Sequence, residues 1–168
     1  MLLVRPSVEL KDKILHFKNE FISHDEKVIN GGELLDKTDS FENWLEYVSN
    51  NTCKDTLSHE WVLTDIYFAL VDDKIVGVIC LRHYLNDLLH DFGHIAYSVS
   101  PSERKKGYAT LMLSQVLSKA KNMGMARVKL SAKKGNIASV KTIINNNGVY
   151  SYSFEYDNDI VDVYSIKL

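Results

Sequence analysis

Arg104-Lys105-Lys106-Gly107-Tyr108-Ala109 stands between a strand-like run ending at Val99 and a long amphipathic stretch with helical spacing. The first turn of a helix leaves its N–H groups unpaired and carries the positive end of the helix dipole. Small residues at 107 and 109 let a ligand approach that backbone closely. Three cations stand directly upstream. This combination describes an anion cradle, suited to a pyrophosphate.

Outward from the cradle, the downstream helix is expected from about Gly107 to Met123, with Met112, Leu113, Val116, Leu117 and Ala120 inward and Gly124 as its stop. Arg127 to Ala132 alternates as a strand. Asn136 caps a further helix carrying Ile137, Val140, Ile143 and Ile144, which ends in Asn145-Asn146-Asn147-Gly148. Val149–Tyr156 and Ile160–Leu168 read as two strands joined through Asp157-Asn158-Asp159. Upstream, 93–99 reads as a strand. Thr64–Val71 and Ile75–Leu81 flank Asp72-Asp73-Lys74 as a hairpin. Leu2 to Arg5 is a short strand ended by Pro6. Ser7 is expected to cap a helix with Leu10, Ile14, Phe17 and Phe21 on one face. A second helix begins near Asp39, where Asp39 and Glu42 have capping-box spacing, and carries Phe41, Trp44, Leu45 and Val48. The order is β-α-α-β-β-β-α-β-α-β-β, an α/β fold with one mixed central sheet of about seven strands and about four flanking helices.

At 168 residues the chain suits a single domain with its own core. A 45% apolar and 25% charged composition is that of an ordinary soluble protein. The net charge of −2 gives no general attraction to nucleic acid or to an anionic membrane, so the basic patch at 104–106 acts locally. Cys53 and Cys80 match neither metal spacing nor a disulfide framework and read as reduced, buried thiols. No stretch approaches the roughly 20 apolar residues of a membrane span. A cytoplasmic location is the expectation.

The segment His94-Ile95-Ala96-Tyr97-Ser98-Val99-Ser100-Pro101, with Arg104-Lys105-Lys106-Gly107-Tyr108-Ala109 after it, resembles the acetyl-CoA-binding core of the GNAT N-acetyltransferases. That family's signature is Arg/Gln-x-x-Gly-x-Gly/Ala between a strand and a long helix. Asn136-Ile137-Ala138-Ser139, a helix and Asn147-Gly148 resemble the next element, which packs beside the pantetheine arm. The element order matches over essentially the whole chain, nearest to the predicted acetyltransferases with His-Ile-Gly/Ala-Tyr on this strand.

The resemblance implies acetyl-CoA as co-substrate, no metal, and acetyl transfer to a primary amine of a small molecule or peptide by direct attack. It implies that N–H groups from about Lys105 to Thr110, through Lys106, Gly107, Tyr108 and Ala109, hold the pyrophosphate. Arg104 and Lys106 add charge. Tyr97, Ser98 and Val99 would pair with the pantetheine through free backbone groups, and Asn136 would contact the same arm. A homodimer through the last strands is allowed.

Acetyl transfer requires a deprotonated amine, a polarised thioester carbonyl and, ideally, protonation of the departing thiolate. A strand N–H, that of Val99, suits the carbonyl. His94 occupies the position where many relatives place a basic Glu; it reads either as the base or as a packed strand histidine. Relatives carry an acidic Tyr seven residues after the Asn, and here that position is Ile143. Tyr150 or Tyr152 is a substitute by proximity in sequence, or the thiolate leaves unaided, since a thiol pKa is about 8.5. Glu33, Asp87 and Asp91, in the two irregular segments, read either as attractors of a cationic amine or as solvated loop residues. A non-catalytic acyl-CoA-binding module is the alternative function. Nucleic-acid binding is disfavoured by the confined charge.

Overall fold

The alternating run at 64–71 and its neighbour form an antiparallel hairpin in the computed structural model, which describes residues 1–168. Strands β2 (Thr64–Val71) and β3 (Lys74–Arg82) meet at Asp72 and Asp73, whose φ values of 45° and 66° make the left-handed pair of a two-residue turn. The earlier strand β1 (Leu2–Val4) adds beside β2, and β4 (Ile95–Val99) beside β3, giving the order β1-β2-β3-β4. A second sheet holds β5 (Arg127–Lys133), β6 (Val149–Tyr156) and β7 (Asp159–Lys167) in the order β5-β7-β6.

The seven strands and four α-helices match the expected mixed α/β content, but the expected single sheet is divided in two. The halves touch at one isolated bridge between Gly93 and Leu130. Gly93 permits that contact: its φ is +89°, and a Cβ there would stand 2.4 Å from the Lys129 carbonyl oxygen. Past this point β4 and β5 share no ladder, so a gap opens between them.

Helices α1 (Lys11–Ser23) and α2 (Phe41–Asn50) cover one face, packing Ile14, Phe17, Phe21, Trp44 and Val48 on Ile66, Phe68, Val78 and Cys80. Helices α3 (Tyr108–Asn122) and α4 (Ile137–Asn145) cover the other, where Met112, Leu113, Val116 and Ile143 meet Tyr67, Ile79, Leu81 and Leu130. Each apolar stripe thus finds an apolar sheet face, the main source of stability for helices of this length.

Three local expectations change. The β4 ladder begins at Ile95, because Gly93 and His94 are diverted to β5. The α2 cap is Ser40 rather than Asp39: its extended backbone (φ −107°, ψ 118°) aims Oγ at the Asn43 N–H, 3.2 Å away. Ser7 precedes a short 3₁₀ turn at 8–10, with no side-chain cap, before α1 starts at Lys11.

Candidate functional site

A cleft of about 980 Å³ occupies the gap between β4 and β5 and continues along α4 and the N-terminus of α3. Its volume lies in the range of small-molecule sites. Backbone alternation determines which groups β4 offers to it. The Ser100 N–H donates to Val76 and the Arg82 N–H donates to His94 O, so the even-numbered residues of this segment face β3. The N–H and C=O groups of Tyr97 and Val99 therefore point to the open edge. Those of Ser98 belong to the ladder, which corrects its expected role as a backbone partner for pantetheine, although Ser98 still lines the cleft.

The Arg104–Ala109 stretch forms the mouth. Lys105 (φ 64°) and Gly107 (φ 82°) both take the left-handed backbone, and Gly107 is the N-cap of α3. The N–H groups from Lys106 to Thr110 find no acceptor within the protein. Nothing lies within 4 Å of where a Gly107 Cβ would stand. Glycine is required here by its positive φ, and the space beside it is open. A run of unpaired N–H groups at a helix start is the physical basis of an anion site.

The three cations of this segment have different fates. Arg104 makes a two-pronged ion pair with Glu26, Nη1–Oε1 2.6 Å and Nη2–Oε2 2.7 Å, and its Nε donates to Val99 O at 3.2 Å. That bonding lowers the Glu26 pKa and raises that of Arg104. Arg104 is therefore a tie between the cradle and the loop after α1, as well as a charge at the cleft wall. Lys106 donates to Glu103 at 2.8 Å and does not line the cleft. Lys105 does line it, without a side-chain partner. Glu20 of α1 adds a second tie: its Oε1 accepts from the Ser102 N–H at 2.7 Å. Burial opposes its charge, but the bond from Ser102, the neighbouring Ser100 hydroxyl and the nearby Lys74 hold its carboxyl down at about 2.

Of the other expected contacts, Tyr97, Val99, Tyr108, Ala109, Thr110 and Asn136 all line the cleft. The Asn136 Oδ1 accepts from the Ser139 N–H at 3.1 Å and so caps α4 as expected. The Tyr97 hydroxyl spans to α4, 2.9 Å from Ser139 Oγ and 3.3 Å from Ser139 O. Sequence reasoning gave Ser139 no role, because this contact joins residues 42 apart.

His94 lies outside the lining. Its Nδ1 accepts from the Lys129 N–H at 3.0 Å, which puts the proton of the neutral ring on Nε2 and leaves no free basic nitrogen. Burial lowers its pKa to about 4. In this geometry His94 fastens the Gly93–Leu130 junction. Ile143, at 0% exposure, is part of the core. Tyr152 donates to Asp91 at 2.6 Å, which pushes its phenol up to about 12, and Tyr150 bonds Ser153; neither lines the cleft.

The opposite wall joins distant segments. Val28 and Asn30 come from the loop after α1, Arg82 from the end of β3, Leu89 and Phe92 from the 83–92 segment, and Tyr156 from β6. Trp44 Nε1 donates to the carbonyls of Gly32 (3.0 Å) and Glu33 (3.1 Å), fixing the first loop. A Cβ on Gly31 (φ 83°) would stand 2.4 Å from Ala96 O, so this loop lies backbone to backbone on β4. Glu33 is buried and bonds Arg82 at 2.9 Å, while Asp91 is bonded by Tyr152 and His90. Neither is a free anion awaiting an amine. The thiols also divide: Cys80 is buried, with burial pushing its pKa to about 12, whereas Cys53 is exposed rather than buried. No helix is long and apolar enough to cross a membrane.

Known structures share this arrangement. The ribosomal-protein α-N-acetyltransferase RimL, in complex with coenzyme A, superposes with a TM-score of 0.73 at 14% identity, over 99% of this chain and 93% of its own. The microcin self-immunity acetyltransferase MccE, in complex with acetyl-CoA and AMP, gives 0.71 at 15% identity over 99% and 91%. A GNAT-family acetyltransferase from Streptococcus pneumoniae gives 0.73 at 15% identity over 99% and 98%. At such identities the likeness speaks for the fold. No curated protein matches the sequence significantly. The acetyltransferase (GNAT) family model matches residues 34–143, from the loop that rests on β4 to the core residue of α4. With that match spanning the cradle and most of the cleft, this chain belongs to the GNAT family of acetyltransferases and is an acyltransferase.

Proposed function

We propose that the protein binds acetyl-CoA in the β4–β5 cleft and transfers its acetyl group directly to a primary amine of a small molecule or peptide. The observation that carries this reading is the unpaired N–H run from Lys106 to Thr110, opening on a cleft of about 980 Å³. In this reading the run holds the pyrophosphate, with Lys105 adding charge, and Arg104 is shared between the ligand and Glu26. The free edge of Tyr97 and Val99 pairs with the pantetheine amides and polarises the thioester carbonyl. The acceptor enters past Phe92 and Tyr156, whose rings pack edge to face with centroids 4.9 Å apart. The proton of the amine leaves through water in the open cleft, since the ring of His94 is committed to Lys129.

The test has two parts. Acetyl-CoA at about 100 times its Kd should stabilise the protein by ~2.7 kcal/mol, read as a higher Tm. An amine panel with acetyl-CoA should then release free thiol. Absence of any Tm shift with acetyl-CoA or coenzyme A contradicts the reading. A Tm shift with no thiol released by any amine would favour a binding role instead.

A further inference from the structure

We propose that the Tyr97 hydroxyl is the acid that protonates the departing coenzyme A sulfur, with Ser139 holding it in place. The inference rests on the acetyl-transfer reading above and deepens it. Tyr97 packs its ring against the cluster that contains Ile79, Leu81 and Ile143, on the face covered by α3 and α4. Its hydroxyl then crosses the cleft to the first turn of α4, where Ser139 Oγ lies 2.9 Å away. A phenol is thus fixed between the two walls that would flank the pantetheine arm.

Among the other hydroxyl groups that line the cleft, none matches it. Ser98, Thr110, Ser131, Ser139 and Thr142 offer only aliphatic hydroxyls. Tyr108 belongs to the first turn of α3, at the cradle, and Tyr156 is 52% exposed at the far edge of β6. An aliphatic hydroxyl is a far weaker acid than a phenol, whose reference pKa is about 10. Burial raises the Tyr97 pKa, which keeps the proton on oxygen at neutral pH, while bonds from Ser139 and Thr142 act in the opposite sense. The Ser139 hydroxyl, 2.9 Å away, is the donor a transient phenolate needs.

The step balances as follows. The amine lone pair attacks the thioester carbonyl carbon, the C–N bond forms, and the C–S bond breaks with its electron pair moving to sulfur. Tyr97 passes its proton to that sulfur, giving the free thiol. The resulting phenolate accepts from Ser139 and is reprotonated by solvent, and the proton lost by the amine goes to water.

Coenzyme A and desulfo-coenzyme A test the contact without any acceptor. Wild type should bind coenzyme A about fivefold more tightly than the desulfo form, and Tyr97→Phe should erase the difference. With the most active amine of the panel, Tyr97→Phe should lower kcat about 10²-fold while the Kd for acetyl-CoA stays within about threefold. The alkaline fall in kcat, which reports loss of the phenol proton, should vanish in the variant. Tyr97→Phe keeps the packed ring, so an unchanged Tm verifies its fold. Equal discrimination by wild type and variant, or unchanged kcat and pH profile, overturns the assignment and leaves the cleft reading intact. Failure of wild type to bind either ligand overturns both.

Discussion

The two walls of the cleft are built by different means. The cradle wall, from Tyr97 to Thr110, presents mainly backbone: unpaired N–H groups, an open strand edge and a left-handed glycine. The opposite wall, where the proposed acceptor would enter, is made of side chains from segments that meet only through packing, with a buried Arg82–Glu33 pair beneath it. A backbone wall recognises a ligand common to a whole family, because amides and phosphates are the same in every member's donor. A side-chain wall can change with the acceptor without disturbing the donor site. The contrast explains why the backbone wall is the more readable of the two from sequence.

The contrast is most directly broken from beneath the opposite wall. Arg82→Ala leaves the Glu33 carboxylate buried without its partner, at a cost of about 3–5 kcal/mol in unfolding free energy by denaturant titration. The double variant Arg82→Met with Glu33→Leu removes both charges and should recover most of that loss. If the single variant costs under about 1 kcal/mol, this wall does not depend on the pair.

A change in the cradle should act on the ligand as well as on the fold. Gly107→Ala places a side chain at φ 82°, where a non-glycine residue is disfavoured by roughly 1–2 kcal/mol. Open space beside it does not relieve that backbone strain, so Tm should fall by about 2–8 °C. The Kd for acetyl-CoA should rise about tenfold by calorimetry. A fall in Tm with unchanged affinity would reverse the contrast between the walls.

An effect confined to acid pH concerns the junction where the two sheets meet. The folded-state pKa of His94 is lowered to about 4 by burial, so between about pH 6.5 and pH 4 the unfolded chain binds more protons than the native one. Stability from this group is complete above pH 6.5 and is lost as the pH falls toward 4. Denaturant titrations across that window should show a steeper acid loss for wild type than for His94→Gln. Turnover by His94→Gln near that of wild type at pH 8 would fit the fastening role, whereas a steep loss of turnover would restore His94 as the base.

Much of this was legible because it is local. The hairpin turns, the α3 start at Gly107 and the Asn136 cap each depend on residues within a few positions of one another, and the apolar periods of 64–71 and 108–122 are direct readings of strand and helix geometry. His94 was readable either as a base or as a packed strand residue, because sequence places a ring on a strand, and only packing reveals that a β5 amide occupies Nδ1. Glu33, readable as an amine attractor or as a solvated loop residue, is instead buried against Arg82, 49 positions away.

Sequence alone determined the order of elements, the family and the α3 start at Gly107, because backbone conformation there and the apolar alternation of the strands are set by nearest neighbours. Tertiary structure alone decided where the sheet divides, that Arg104 is tied to Glu26 across 78 positions, and that Tyr97 reaches Ser139 rather than remaining a plain strand residue. Long-range side-chain contacts follow from how the two sheets and their helices pack, and no local pattern encodes which distant partner that packing brings within 3 Å.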